Sequence, residues 1–308
     1  MEQRNPIIQR IISETSKVIL GKESVIQLTL AAFLAGGHVL YEDVPGIGKT
    51  MLVRSLSRVM GLQASRVQFT PDMMPSDIIG ISIFNTSTQH FEFKKGPIFT
   101  DILLADEINR TTPRTQSALL EAMSEGNVSQ DGVTYSLGDT FFVLATQNPS
   151  TYEGTYPLPE AQLDRFIIRL SMGYPTYLEE LDLLESPQRK TILPTLQAVA
   201  SREDIMYLKD AVDKVTIKKE LYEYALDLVR QTRKHSNIRL GVSPRGALDL
   251  VRVAKAYAVT QNRDYCIPED FSTLFVPVCS HRVHTRSAHD FTDRILEEIL
   301  ANVKAPVQ

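Results

Sequence analysis

The chain has 308 residues, and its 43% hydrophobic and 23% charged residues match ordinary globular usage and exclude a disordered or fibrous protein. At ~100–200 residues per domain, this length predicts about two domains. The formal net charge of −4 argues against a large nucleic-acid-binding surface, and the two cysteines exclude a disulfide scaffold or a zinc site built mainly from cysteine.

The amino-terminal residues carry no pattern of a secretory signal, because they are charged and lack an uninterrupted apolar stretch. The most apolar segment, residues 25–41, is interrupted by polar residues and glycines. It therefore falls short of the ~20 apolar residues that span a bilayer. We expect a cytoplasmic protein without membrane insertion.

Strand and helix patterns alternate through the first half of the chain. Residues 1–35 have apolar positions at helical spacing, and HVLYE then predicts a short strand that leads through a glycine-rich loop into the helix MLVRSLSRVMG. Further buried strands are predicted in DILLADE, TFFVLATQN and DRFIIRLSM, with a helix in RTQSALLEAMSEG. The segments FNTSTQHFEFKKGPIF and NVSQDGVTYSLGDTF are typical of inserted hairpins. Strand, loop and helix in this order predict a parallel sheet.

The pattern changes after residue 174, where only helical periodicity is strong. The sequence predicts helices over residues 178–188, 202–212, 219–235, 245–262, 268–283 and 290–302. We therefore predict an α/β domain over residues 1–174 and an all-α domain over residues 175–308.

The loop after the first strand, DVPGIGKT, nearly fits the phosphate-loop pattern G-x-x-x-x-G-K-[ST], with Asp43 in place of the first glycine. Glycines let backbone N–H groups turn toward phosphate oxygens, and the following helix directs its positive end at the same anion. Lys49 is expected to reach the β- and γ-phosphates of ATP, and the Thr50 hydroxyl to bind Mg²⁺. The predicted nucleotide contacts in the loop are Pro45, Gly46, Ile47, Gly48, Lys49, Thr50 and Met51.

Two acids follow the strand DILLADE and are expected at the carboxyl edge of the sheet, where open α/β sheets bind ligands. Adjacent residues on a strand point to opposite sides, so the two acids are expected to have different roles. Asp106 is predicted to hold Mg²⁺, and Glu107 to orient and deprotonate the attacking water. A solvated acidic strand end is the alternative.

The next strand ends in Gln147 and Asn148. An amide at this edge of the sheet can hydrogen-bond both the attacking water and the γ-phosphate, which predicts a catalytic role for Asn148. An ordinary Asn-Pro turn is the alternative.

Together, DVPGIGKT, LLADEINR, ATQNP and EGTYPLPEAQLDRF resemble the MoxR family of AAA+ ATPases. The resemblance covers nearly the whole chain, and residues 148–166 are its most specific part. It implies a P-loop nucleotide-binding αβα core with inserted hairpins, followed by an all-α lid. It further implies that Asp106 and Glu107 are the Walker B pair, and that Asn148 is sensor 1.

The resemblance also implies roles that the residues alone do not reveal. Arg165 in LDRF is similar to an arginine finger, which acts on the nucleotide of a neighbouring subunit. Arg245 in SPRG is similar to sensor 2, which reaches the γ-phosphate from the lid. Surface salt bridges are the alternative for both arginines. Arg110 is left open between a subunit contact and a surface role. The adenine is expected to contact Val18, Ile19 and Gly21.

The function that the resemblance implies is Mg²⁺-dependent ATP hydrolysis in a homo-oligomeric ring, a hexamer. Such proteins act in a chaperone-like way on partner proteins, often ones with a von Willebrand factor A domain. The alternatives are a magnesium-chelatase-like motor subunit, a nucleic-acid motor and a nucleotide-gated scaffold. The hairpin over residues 127–139 has no Lys or Arg and carries two aspartates, which argues against a nucleic-acid motor. Glu107, Asn148 and Arg165 argue against an inactive scaffold.

Overall fold

The computed structural model describes residues 6–148, 155–185, 192–287 and 291–306. Its helices are Pro6–Ser16 (α1), Glu23–Leu34 (α2), Lys49–Val59 (α3), Pro75–Ile79 (α4), Pro113–Glu125 (α5), Glu160–Leu163 (α6), Tyr177–Glu185 (α7), Arg202–Asp213 (α8), Lys219–Lys234 (α9), Pro244–Thr260 (α10), Pro268–Cys279 (α11) and Thr292–Asn302 (α12). Its strands are Val39–Glu42 (β1), Ala64–Gln68 (β2), Gly80–Asn85 (β3), His90–Lys95 (β4), Ile102–Asp106 (β5), Asn127–Gln130 (β6), Val133–Ser136 (β7), Phe142–Gln147 (β8), Ile168–Leu170 (β9), Ile238–Leu240 (β10) and His284–Thr285 (β11).

The central sheet has five parallel strands in the order β2-β5-β8-β1-β9. Four of them are the strands that the sequence predicts. The fifth, β2, was missed because ASRVQ is polar and lies at an edge of the sheet, where one side has no strand neighbour. The register places Gln68 beside Asp106 and Glu42 beside Gln147. Polar residues of four strands therefore meet at one carboxyl edge.

Alternate residues of the central strands enter two hydrophobic cores, one on each face of the sheet. In β5, Leu103 and Ala105 pack with α5 on one face. Ile102 and Leu104 pack on the opposite face, in a core that also contains residues of α1, α2, α3 and the helices after residue 200. The carboxyl-terminal helices therefore share a core with the amino-terminal ones.

Both predicted hairpins are confirmed as antiparallel pairs inserted into the α/β core. In chain order, the β3–β4 pair is inserted after β2 and before β5, and the β6–β7 pair is inserted after α5 and before β8. They lie outside the five-stranded sheet.

The helices predicted after residue 174 are confirmed within the described residues, although the ends of two of them, residues 186–188 and residue 290, lie outside that part of the chain. One feature was not predicted: β10 and β11 form a short antiparallel pair among the helices. None of the described helices combines the length and apolarity needed to cross a membrane.

Candidate functional site

A cavity of about 400 Å³ lies between the carboxyl edge of the sheet and the start of α3. It brings together the predicted phosphate loop, both predicted acids and the predicted amide. Its lining residues are Asp43, Pro45, Gly46, Gly48, Lys49, Thr50, Met51, Arg66, Gln68, Asp106, Glu107, Thr146, Gln147 and Asn148. Ile47, the adenine segment and the two predicted arginines are not among the residues that line this cavity.

The loop between β1 and α3 has the backbone geometry of an anion-binding loop. Gly46 and Gly48 have φ values of 88° and 98°, a region that favours glycine. Because α3 begins at Lys49, its unpaired N–H groups lie at the end of this loop. The geometry suits a phosphate group, as the motif predicts.

The ammonium group of Lys49 lies among loop carbonyls, with Nζ donating to Asp43 O at 3.2 Å and Val44 O at 3.3 Å. Burial lowers the pKa of Lys49, and the carboxylates of Asp43, Asp106 and Glu107 oppose this shift. A phosphate in the cavity would give the half-buried cation a strong charged partner.

Asp43 replaces the first glycine of the usual pattern, and its side chain has a structural role. The carboxylate accepts hydrogen bonds from Ser171 Oγ at 2.6 Å, Met172 N at 2.8 Å and Gly173 N at 3.3 Å. These three residues connect β9 to α7. Since Asp43 does not have a positive φ, no glycine is required at this position. The phosphate loop is thus bound to the segment that leads into the carboxyl-terminal helices.

We expect Asp43→Ala to lower the free energy of unfolding by about 2 kcal/mol, because it leaves the buried N–H of Met172 without an acceptor. Urea denaturation of the full chain measures this change. As a matched control, Glu121→Ala removes an exposed carboxylate of α5 and should stay within about 0.5 kcal/mol of the original protein. Equal stability of the two variants would contradict the role of Asp43.

Both carboxylate oxygens of Asp106 have partners within the site. Thr146 Oγ1 donates to Oδ1 at 2.7 Å, and Arg66 Nη2 lies 2.7 Å from Oδ2. Mg²⁺ prefers oxygen ligands, usually one or two carboxylates together with substrate phosphates. The Thr50 hydroxyl and the Asp106 carboxylate are such oxygen donors and line the same cavity, so the residues present fit a magnesium ion.

Glu107 lies just beyond the end of β5 and has a left-handed backbone, with φ 58° and ψ 52°. This conformation is uncommon for a residue other than glycine and is often found at functional sites. It also overturns the expected alternation, since Glu107 does not continue the strand and both acids line the same cavity. Its carboxylate accepts from Gln68 Nε2 at 2.8 Å and lies 2.9 Å from Arg110 Nε. Arg110 therefore contacts the proposed base directly.

Asn148 is buried just after β8 and lines the cavity, as expected. Its backbone oxygen accepts from Asn109 Nδ2 at 3.4 Å. The neighbouring Gln147 donates from Nε2 to Glu42 Oε1 at 2.9 Å, across the β1–β8 pair. The predicted Asn-Pro turn falls on Pro149, which lies outside the described residues.

Arg165 lies outside the cavity, just after α6, where Nη1 donates to Leu120 O and Ser124 Oγ, each at 2.7 Å. These contacts hold the half-buried side chain against α5. The part of its motif at residues 153 and 154 lies outside the described residues.

Arg245 is exposed in the first turn of α10. Burial raises the pKa of Asp249, and the positive charges of Arg282, Arg245 and Arg252 oppose this rise. Arg282 itself is buried, its side chain 2% exposed, between two carboxylates. Its Nε lies 2.8 Å from Asp164 Oδ1, and its Nη2 lies 2.6 Å from Asp249 Oδ2. This triad, with a buried arginine and two partly exposed acids, connects α10 to the segment that carries Arg165.

The predicted adenine segment forms the turn between α1 and α2, with Ile19 buried and Val18 half-buried. Gly21 has a φ of 63°, and any larger side chain at this position would clash with the Glu179 carboxylate of α7. The start of α7 therefore packs closely on this turn.

Sequence reasoning missed three residues of the site, namely Arg66, Gln68 and Thr146. A signal for the first two was present, because Arg66 and Gln68 alternate in ASRVQ and so lie on one face of a strand. A parallel strand over ASRVQ brings Gln68 beside Asp106 at the carboxyl edge of the sheet.

Two family models match the chain. The model of the ATPase family associated with various cellular activities (AAA) matches residues 38–168, and the AAA lid domain model matches residues 230–299. The first match covers the cavity residues from Asp43 to Asn148. The second covers the triad partners in the carboxyl-terminal helices.

Several proteins are similar over nearly the whole length. YeaC of Bacillus subtilis is 49% identical over 100% of this chain and 97% of its own length. Chaperone MoxR1 of Mycobacterium tuberculosis is 39% identical over 96% of this chain and 80% of its own length. Protein MoxR of Methylorubrum extorquens is 29% identical over 91% of this chain and 88% of its own length.

The fold is also similar to a crystal structure of a protein from Cytophaga hutchinsonii, with a TM-score of 0.90 and 39% identity. That match covers 98% of this chain and 95% of the other. The phosphate loop, the paired acids, the lid and these relatives agree: the chain belongs to the MoxR family of AAA+ ATPases.

Proposed function

We propose that this protein hydrolyses ATP with Mg²⁺ and uses the reaction in a chaperone-like role on partner proteins in the cytoplasm. The observation that carries the catalytic part is the convergence of Lys49, Thr50, Asp106 and Glu107 on one cavity of about 400 Å³. We assign the nucleotide-binding core to residues 1–174 and the lid to residues 175–308.

The residues of the cavity have complementary roles in the proposed reaction. The N–H groups of the loop and Lys49 hold the phosphates, and Thr50 and Asp106 hold Mg²⁺. Bound Mg²⁺ supplies charge neutralisation on the phosphate oxygens. Glu107 accepts a proton from the attacking water at a carboxylate oxygen, after its contacts with Gln68 and Arg110 loosen. The Asn148 amide orients the water.

The position of Arg165 outside its own chain's cavity suits an assembly in which subunits complete each other's sites. We propose a closed ring, a hexamer, in which Arg165 stabilises charge on the phosphates of the adjacent subunit. Arg245 would act from the lid on the nucleotide of its own chain. Val18, Ile19 and Gly21 would contact the adenine.

A protein partner is favoured over nucleic acid by the inserted hairpins. Phe84, Phe91 and Val133 are exposed on them, and such apolar surface is typical of protein contacts. Of the two hairpins, the β6–β7 pair carries no Lys or Arg for a phosphate backbone, whereas β4 carries Lys94 and Lys95. The relative named Chaperone MoxR1 supports this role. We propose that its clients contain a von Willebrand factor A domain. A pull-down with the full chain, followed by mass spectrometry of the captured proteins, tests this proposal.

We expect Lys49→Ala to weaken ATP binding by at least ~30-fold, the scale of losing one desolvated partner of a charge pair. Equilibrium titration with a fluorescent ATP analogue measures the affinity. Lys219→Ala is the matched control, because its ammonium is exposed on α9 and should leave the affinity as it is. Unchanged affinity in folded Lys49→Ala would refute the proposed nucleotide site.

A further inference from the structure

Arg66 binds the carboxylate that is proposed to hold magnesium. Its Nη2 and Nε donate to the same Asp106 oxygen, Oδ2, at 2.7 and 3.2 Å. The other oxygen, Oδ1, accepts from Thr146 Oγ1 at 2.7 Å. The guanidinium therefore occupies the carboxylate oxygen that Thr146 leaves available.

No other cation in the described residues has an ion pair with Asp106. The hydrogen bonds of Lys49 run to the carbonyls of Asp43 and Val44. Arg110, the other nearby arginine, pairs with Glu107. The positive charge in direct contact with Asp106 is thus that of Arg66.

The position of Arg66 allows it to leave. It lies on the edge strand β2, and its side chain is 47% exposed, whereas that of Asp106 is 15% exposed. An exposed guanidinium regains water when it swings outward, so breaking this pair costs little. A second hydrogen bond, from Nη2 to Gln68 Oε1 at 2.8 Å, holds it toward the site.

We propose that Arg66 competes with Mg²⁺ for Asp106 and so sets the magnesium concentration at which the site binds nucleotide. This inference rests on the proposed function, in which Asp106 binds the metal. A guanidinium held at Oδ2 would repel a Mg²⁺ ion bound to the same carboxylate, because both carry positive charge at short distance. Binding of Mg²⁺ and the nucleotide is therefore coupled to outward movement of Arg66.

The test is a Mg²⁺ titration of the full chain at a fixed concentration of fluorescent ATP analogue. We expect Arg66→Gln to lower the Mg²⁺ concentration at half-maximal binding by about fivefold, as removal of a competitor for a partly exposed carboxylate should. Arg66→Lys keeps the charge and should shift this midpoint less. In EDTA no metal competes with Arg66, so the affinities of the original protein and Arg66→Gln there measure any direct effect of Arg66 on the nucleotide, and the expected midpoint shift is the change beyond that effect.

Arg110→Gln is the matched control, since that side chain is 44% exposed and pairs with the adjacent carboxylate of Glu107. Its Mg²⁺ midpoint should stay near that of the original protein. An equal shift in this control, or an unchanged or raised midpoint in Arg66→Gln, would overturn the competition. If the original protein itself bound nucleotide without any response to Mg²⁺, the proposed function would fail instead.

Discussion

Arg165→Ala should bind ATP nearly as well as the original protein while its hydrolysis rate falls ~10³-fold or more, the scale for an arginine finger. The reason is its position: Arg165 lies against α5 and is not among the residues that line the chain's own cavity. In the proposed ring, its guanidinium would instead stabilise charge on the phosphates of the adjacent subunit. Steady-state phosphate release and equilibrium binding of an ATP analogue measure the two effects.

Mixed assemblies test whether this action crosses between subunits. A Lys49→Ala subunit lacks a working phosphate loop but still presents Arg165, and an Arg165→Ala subunit has the intact loop. Mixing the two variants should therefore restore part of the activity that each lacks alone. Absence of rescue, despite demonstrated co-assembly, would place Arg165 within its own subunit.

A structural role of Arg165 needs a separate control, because its Nη1 donates to Ser124 Oγ at 2.7 Å. Ser124→Ala removes that acceptor and keeps the arginine. We expect this variant to retain most of the hydrolysis rate. A loss as large as that of Arg165→Ala would show that anchoring to α5 explains the effect.

Glu107→Gln should keep ATP binding and lose at least ~10² in hydrolysis rate, the scale of a missing general base. The substitution preserves the shape of the side chain, and the amide oxygen can still accept from Gln68 and Arg110. What it removes is the ability to take a proton from water. Single-turnover hydrolysis with prebound ATP separates this step from binding.

The control for charge at this edge of the sheet is Glu42→Gln. Glu42 is half-buried on β1 and pairs with Arg169 at 2.8 Å, and it is not among the residues that line the cavity. We expect it to slow hydrolysis far less than Glu107→Gln. Near-normal turnover by folded Glu107→Gln would exclude Glu107 as the base.

Features set by local patterns could be predicted from the sequence. The central strands β5 and β8 are apolar on both faces, so their burial between two cores follows from composition. The phosphate loop is contiguous, and its glycines at 46 and 48 have the positive φ that the motif requires. Parallel strands bring their carboxyl ends to one edge, which placed Asp106 and Asn148 near the loop.

Features that depend on distant partners could not be predicted in this way. The three donors to Asp43 lie beyond β9, so the loop sequence alone gives no reason for an aspartate. Likewise, Gly21 is explained by Glu179 of α7. The edge strand β2 lacks an apolar pattern, and for this reason Arg66 and Gln68 were missed. The left-handed backbone of Glu107 has no sequence signal of its own.

The triad of Asp164, Arg282 and Asp249 links two distant parts of the chain. Pulling α10 away from the segment after α6 would break one of the two ion pairs of the buried Arg282 guanidinium, at a cost of about 3–5 kcal/mol. Asp249 lies one helical turn from Arg245, and Asp164 is adjacent to Arg165. In the proposed ring these arginines serve different nucleotides, and the triad between them would then couple the occupancy of a subunit's own site to the site of its neighbour.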